Sequence, residues 1–447
     1  MQRSRGGLRR NGAEGITRVT VAGYKSLSQE QGIEIRPLTI LAGANSSGKS
    51  SLMQPLLLMK QTLEASYDPG PLLLNGPNVK FTSVDQLLSV TAKGEKASVF
   101  SVSIETAKGD GCRLEFKRHR ERGLDIVKQL AVDSAGKTSE LRPEMADQEI
   151  RAQLPEELRD LAQHLPSVAS QQIKGAAFRV DRNKCFLVVQ LAGPDREAIL
   201  AFGPGIAIQT IEPYVRGLIH LPGLRGNPAR TYPVTAVGDE FPGTFEAYVA
   251  SILIEWQRND KAKLELLSRD LETLGLTWKV AVTSINDTQV EMQVGRLPHA
   301  ARGGAWDLVN LADVGFGVSQ TLPVLVALRA SRRGQMVYLE QPEIHLHPRA
   351  QTALADVIAE AAKTGSRIVV ETHSNLLLLG LQTAVREGRL SPESVKLHWF
   401  KRGPDGSTEI KSADLDREGR FGDWPVDFAE VTLDAEGRYL DANLTKS

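Results

Sequence analysis

The sequence is short of several things, and each shortage closes off a class of explanation. It has two cysteines in 447 residues, Cys112 and Cys185. Two cannot build a disulfide framework or a cysteine metal cluster, so the expectation is a pair of free thiols in a reducing compartment. An excess of one charge is also missing, since Lys+Arg and Asp+Glu both total 54. No global field draws the chain to nucleic acid or membrane, and any such contact has to come from a local patch. No apolar run approaches the roughly 18–20 residues that span a bilayer. The N-terminal MQRSRGGLRRNGAEG is basic without an apolar core, and residues 1–15 read as a disordered tail rather than a secretory signal. A cytoplasmic protein with no membrane contact is the simplest expectation. Internal repeats and sustained heptads are absent too, which excludes long coiled-coil arms. The rest of the composition, 41% hydrophobic and 24% charged, is that of an ordinary globular protein.

Against this background Gly43 to Ser50 stand out. They read GANSSGKS, the pattern G-x-x-x-x-G-K-[ST] of a phosphate-binding loop. Gly43 and Gly48 allow backbone angles that a side chain would block. The N–H groups of Ala44, Asn45, Ser46 and Ser47 can then curl around phosphates at the positive end of the following helix. Lys49 is placed to reach the β- and γ-phosphates and the Ser50 hydroxyl to ligate magnesium. The flanks agree: residues 37–42 (PLTILA) form a strand-like run, and residues 51–63 a helix-like one with Pro55 inside it.

The second half of the chain supplies the partners such a loop needs. The buried-strand run MVYL (336–339) ends at Glu340, where a P-loop enzyme holds its magnesium. Gln341, Pro342 and Glu343 follow. A second apolar strand, RIVV (367–370), runs into Glu371-Thr372-His373-Ser374, which sets His373 where it can touch a γ-phosphate or the attacking water. Before both strands lies LADVGFGVSQ (311–320), in which Gly315 and Gly317 free the backbone and Ser319 and Gln320 open a helix. This is a second anion-binding helix start. One site does not need two, but a head-to-tail dimer does, with each copy closing over the other's γ-phosphate.

In this order the motifs resemble the ABC-type AAA-family ATPase heads of the RecF/SMC/OLD branch. Residues 74–88, 313–325, 339–351 and 370–378 resemble a bacterial subgroup of stand-alone ATPases with a small C-terminal domain. That domain's closing motif is matched by Gly422-Asp423-Trp424-Pro425 with Phe428. The resemblance implies an α/β P-loop NTPase: a two-lobed ABC-ATPase-like head with an inserted α+β module and a small strand-rich C-terminal extension. The implied divisions are a tail over 1–15, a first half-head over 16–96, the insertion over 97–217, a second half-head over 218–394, and an extension over 395–447. It implies that Gly43 to Ser51 bind ATP, that Glu340 organises Mg2+, and that Gly317, Ser319 and Gln320 act in trans. His373 becomes the switch histidine, and Gln86 the counterpart of a metal-side glutamine. Heads of this kind carry Glu after the strand-end carboxylate, and here that residue is Gln341. An amide orients water but accepts no proton, so Glu343 or Glu340 takes that role or turnover is slow. The expected activity is ATP hydrolysis by a homodimer in genome maintenance or antiphage defence, with a separate effector such as a nuclease and local nucleic-acid contact. The alternatives are a non-catalytic ATP-gated scaffold and a transporter subunit.

Other features have blander readings beside the sharp ones. The run KRHRER (117–122) reads as a solvated hairpin end or as a phosphate contact. His345 and His347 read as a packed turn or as metal ligands. Asp414-Leu415-Asp416 reads as a polar loop, and Arg225 and Arg230 as structural or phosphate-facing arginines.

Overall fold

The structure, a computed structural model, describes residues 14–90, 94–119, 121, 123–154, 176–193, 195, 198–202, 205–296 and 307–422. The N-terminal tail before residue 14 and the motif around Trp424 lie outside the described residues. In chain order the strands of the first half are β1 (Ile16–Ala22), β2 (Gln31–Glu34), β3 (Leu38–Gly43), β4 (Val99–Thr106), β5 (Gly111–His119), β6 (Gly123–Val132), β7 (Thr138–Leu141), β8 (Ala177–Asn183), β9 (Phe186–Ala192) and β10 (Ala198–Phe202). Those of the second half are β11 (Ile219–Leu221), β12 (Tyr232–Pro233), β13 (Val280–Ser284), β14 (Gln289–Gly295), β15 (Leu308–Asn310), β16 (Met336–Glu340), β17 (Arg367–Thr372), β18 (Val395–Arg402) and β19 (Thr408–Ala413).

The strand that leads into the phosphate loop sits inside a sheet ordered β11-β16-β17-β3-β18-β19. All neighbours in it are parallel except the edge strand β19. Parallel strands covered on both faces read as continuous apolar runs, which explains LTILA, MVYL and RIVV. Period-two alternation then divides each run between two cores. Leu38, Ile40, Val337, Leu339, Ile368 and Val370 face one core, built on helices Val249–Asn259, Lys261–Thr273, Phe316–Ala330, Pro348–Ala362 and Asn375–Arg386. Leu41, Tyr338, Val369 and Phe400 face the other, shared with the phosphate-loop helix Lys49–Glu64. Pro55 lies within that helix, as its position implies.

The other lobe is an antiparallel sheet ordered β2-β1-β4-β5-β6-β7. The boundary expected at residue 97 falls inside it, because β4 pairs with β1 from Ile16 to Ala22. The β8–β10 sheet does not form a core of its own either. Phe178, Leu187 and Leu191 pack into the core that holds Leu52 and Leu56 of the phosphate-loop helix. The described part of the expected insertion is thus built onto the first lobe. The same segment grips the far end of that helix. Lys184 Nζ donates to the carbonyls of Leu63 and Ala65, both at 2.7 Å, and Arg216 Nη1 to that of Leu63 at 2.7 Å. Cations are favoured at a helix C-terminus, where carbonyls lack partners. Past the division expected at 395, β18 pairs with β3 from Val395↔Leu38 to Phe400↔Gly43. Among the described residues no helix is long and apolar enough to cross a membrane.

Candidate functional site

The loop between β3 and its helix alternates backbone hands. Ser46 lies at φ +59°, Gly43 at φ +144° and Gly48 at φ +100°. Such alternation turns successive N–H groups toward one point and forms an anion nest. Both glycines are also sterically required. A Cβ on Gly43 would meet the Phe400 carbonyl oxygen at 2.3 Å, and one on Gly48 would meet Thr408 Oγ1 at 2.4 Å and Ser26 Oγ at 2.7 Å. The loop lines a cleft of about 490 Å3, with Lys25, Gln54, Glu371 and Arg402 on its walls. Three of its positive groups are therefore Lys25, Lys49 and Arg402.

Lys49 is only 3% exposed, and its Nζ donates to the carbonyls of Gly43 at 3.0 Å and Ala44 at 2.8 Å. Burial holds the Lys49 ammonium below its usual range, against the pull of Glu371. The buried Ser47 hydroxyl, also on the cleft wall, has no partner. An anion nest, a buried lysine and an unpartnered hydroxyl fit a nucleotide's phosphates, and the hydroxyl of Ser50 against the carboxylate of Glu371 fits the hard, oxygen-bound ion that accompanies them.

Strands β16 and β17 bring up the rest. Glu340 stands opposite Glu371 in their register. Glu371 contacts the loop directly: Ser50 Oγ lies 3.1 and 3.0 Å from its two oxygens, and the Tyr338 hydroxyl donates to Oε2 at 2.8 Å. Glu340 is held one strand further out, by His220 Nε2 at 3.1 Å and the Gly223 N–H at 3.3 Å. The two carboxylates shift in opposite directions. Burial, then the charge of Glu340, raises Glu371 above the usual carboxylate range despite Tyr338, Lys49 and Ser50. For Glu340 burial also acts upward, but His220, Gly223 and Tyr338 outweigh it and hold the carboxyl below that range. Glu371 was the residue missed in the sequence. A carboxylate ending the second strand was visible there, but not its register beside the loop.

Beyond the strand tips, Gln341 takes a left-handed backbone, φ +43°, and its N–H donates to the Glu371 carbonyl at 2.7 Å. Glu343, 5% exposed, turns back into the protein, where Oε1 accepts from Thr372 Oγ1 at 2.6 Å and from the His373 N–H at 3.1 Å. Burial raises its carboxyl despite these donors. It thus fixes the turn that presents His373. That imidazole is half-buried against the Gly43 carbonyl, and burial followed by the nearby Lys49 charge lowers its basicity.

Three expected residues lie elsewhere. Gln86 is exposed and closes a capping box, its Oε1 accepting from the Thr82 N–H at 2.9 Å. Ser319 and Gln320 are 7% and 2% exposed. Gln320 Nε2 donates to the Gly226 carbonyl at 3.0 Å, and its own carbonyl accepts from Arg225. Arg225 also donates to the Glu340 carbonyl, which makes it a structural arginine behind the strand tip. The exposed groups at that helix start are Gly315 and Phe316, the latter 54% exposed and stacked on His345 with ring centroids 5.9 Å apart. Gly317 lies between them and the buried turn, its Cβ position 3.5 Å from the His345 carbonyl. His347 caps helix Pro348–Ala362, accepting from the Arg349 N–H. Among the described residues no group of three His, Cys, Asp or Glu side chains forms a metal cluster. Of the basic run, Lys117 to His119 end β5 at a hairpin, while Arg120 and Arg122 lie outside the described residues. Arg230 pairs with Asp313 at 2.7 Å, and Asp414 with Lys396 and Arg36 at 2.8 Å each.

A family model described as "AAA domain, putative AbiEii toxin, Type IV TA system" matches residues 38–173 and 299–379. No curated protein matches the chain. Among solved structures the chain is similar to an SMC head bound to the C-winged helix domain of ScpA, at 12% identity over 90% of this chain and 98% of that one, with a TM-score of 0.46. It is also similar to the SMC head domain from Thermotoga maritima, at 11% identity over 90% and 100%, with a TM-score of 0.36. The head with coiled coil and joint from Pyrococcus yayanosii matches at 9% identity over 95% and 100%, with a TM-score of 0.44. The two matched segments hold the phosphate loop and the strand-end carboxylates with His373 respectively, and the fold is that of an α/β P-loop NTPase.

Proposed function

We propose that this chain is an ATP-driven switch, binding ATP with magnesium at the phosphate loop and hydrolysing it slowly to ADP and phosphate. The observation that carries this is the meeting of Lys49, Ser50 and His373, from distant segments, at the end of β3. The nest from Gly43 to Ser51 binds the phosphates, Lys49 leaves its loop carbonyls for the β- and γ-phosphates, and His373 faces the γ-phosphate side. Magnesium, held by Ser50 with Glu340 behind it, supplies charge neutralisation for phosphoryl transfer.

Slow turnover follows from the residues near the attacking water. Gln341 accepts no proton, and Glu343 is turned into the protein, with Oε1 committed to Thr372 and the His373 N–H. The same substitution favours a second reading, a non-catalytic ATP-gated scaffold. Two copies associate head to tail through the face that presents Gly315 and Phe316, closing on each other's nucleotide. The toxin–antitoxin wording of the family description supports a role in bacterial defence rather than genome maintenance, and the effector, such as a nuclease, is a separate protein.

The test is nucleotide binding and turnover. Wild type binds ATP and turns over below about 10 per second, the enzyme median, while Lys49→Ala loses ATP affinity at least tenfold. Gln341→Glu accelerates hydrolysis under the switch reading's slow-base account and under the scaffold reading turns a silent site into an active one. Wild type that binds no nucleotide, or one that turns over at the median rate or faster, sinks the respective half.

A further inference from the structure

The strand order brings a second carboxylate to the ion side of the loop. β17 lies between β16 and β3, so its terminal Glu371, not Glu340, is the neighbour of the loop strand. Both Glu371 oxygens lie within hydrogen-bond reach of the Ser50 hydroxyl. Tyr338, fully buried, orients one of them. Glu340 is occupied by His220 and the Gly223 backbone.

From this arrangement we infer that Glu371 is the direct carboxylate ligand of the magnesium ion, and that Glu340 is the outer carboxylate that orients its shell. The inference rests on the nucleotide reading above. The hydroxyl after a P-loop lysine is the protein's own magnesium ligand. A carboxylate touching that hydroxyl with both oxygens shares the space an ion beside Ser50 must enter. The buried carboxylate of Glu371 and the part-buried one of Glu340 on the adjacent strand repel each other, and burial of charge is costly unless paired. Lys49 bonds to loop carbonyls rather than to either of them. A divalent cation with hard oxygen ligands answers both needs. The competing account makes Glu371 a strut that merely holds Ser50 and Tyr338. A strut needs a hydrogen-bond acceptor of the right length, which glutamine keeps and aspartate does not. A ligand needs the charge, which aspartate keeps and glutamine does not.

The experiment measures Mn2+ binding by electron paramagnetic resonance with saturating ADP, together with fluorescent ADP binding in EDTA. Glu371→Gln is expected to raise the Mn2+ concentration for half-saturation about tenfold or more, with ADP affinity in EDTA unchanged or tighter. Glu371→Asp should fall between wild type and Glu371→Gln. Tyr338→Phe should weaken Mn2+ by about tenfold, as loss of an outer-shell partner does. The reverse ranking, with Glu371→Gln binding Mn2+ as well as wild type and Glu371→Asp worse, overturns this inference while leaving nucleotide binding in place. Wild type that binds ADP neither in EDTA nor with Mn2+ overturns the nucleotide reading itself.

Discussion

Two helices of this chain begin at glycine-bearing turns and put them to opposite uses. At the first, Gly48 precedes Lys49–Glu64, and Lys49 and Ser50 line the cleft. At the second, Gly315 precedes Phe316–Ala330, and the first polar side chains, Ser319 and Gln320, are already inside the protein. What separates them is where the polar residues fall, because both helix bodies are buried, from Pro55 to Leu63 in the first and from Val318 to Leu328, apart from part-buried Pro323, in the second. Only its first residues reach solvent, and they are Gly315 and Phe316 rather than the serine and glutamine. Glycines mark where a chain turns, whereas the place of the polar residues after that turn decides which groups it offers to a ligand.

The contrast is broken most directly at the glycines. Gly48→Ala places a Cβ 2.4 Å from Thr408 Oγ1 in a left-handed backbone. Strain of this kind costs about 1–3 kcal/mol. ATP affinity should fall at least tenfold with it. Gly315→Ala meets nothing within 4 Å, and Gly317→Ala meets only Leu276 Cδ2 at 3.3 Å and the His345 carbonyl. Both should leave monomer stability within about 0.5 kcal/mol and ATP affinity unchanged. Urea unfolding and ATP titration of the three variants decide it. Equal losses at both helix starts would erase the distinction.

A smaller effect tests the second start from within. Gln320 Nε2 is bonded to the Gly226 carbonyl, and Gln320→Ala removes that part-buried bond. The expected loss is about 0.5–1.5 kcal/mol in urea unfolding. Phe316→Ala should cost the fold far less, because the ring is exposed, but should weaken any ATP-dependent association seen by light scattering. A Gln320→Ala protein of wild-type stability that fails to associate would restore the trans-acting role expected of that residue.

How much of this could be read beforehand depended on the range of the interaction. The phosphate loop and strands β3, β16 and β17 are local patterns, and the structure places them as their apolar runs imply. Glu371 was visible as a residue but not as a neighbour, since the order β16-β17-β3 joins segments more than 300 residues apart. The pairing of β4 with β1 and of β18 with β3 was out of reach in the same way, since it too joins strands across long separations. Two signals were present and unused. Ser83-x-x-Gln86 is a capping-box spacing, which already commits the Gln86 amide to its own helix start. The run LPVLVAL (322–328) is apolar throughout, which already buries the turn carrying Ser319 and Gln320.

The mildest test separates the two helix starts by pH. The loop strand β3 is flanked by β18, where His398 is buried with Nδ1 2.8 Å from Ser412 Oγ and Nε2 2.8 Å from the Glu34 carbonyl. Burial is the main reason its pKa falls to about 4, with the charge of Lys396 and Arg36 acting in the same direction and Glu34 against it. An imidazole held neutral in the fold but protonated in the unfolded chain stabilises the protein fully above about pH 6.5, its ordinary value. That stability is lost as pH falls toward 4. Because Phe400, two residues on, packs its carbonyl against Gly43, the loss should loosen the phosphate loop first. Amide exchange at Gly43 to Ser50 is expected to accelerate on going from pH 7 to 5, after correction for intrinsic rates, before exchange at Val318 to Leu322 does. His398→Gln should flatten the difference, and a wild-type loop whose protection tracks the second helix through that interval would show that β18 does not govern it.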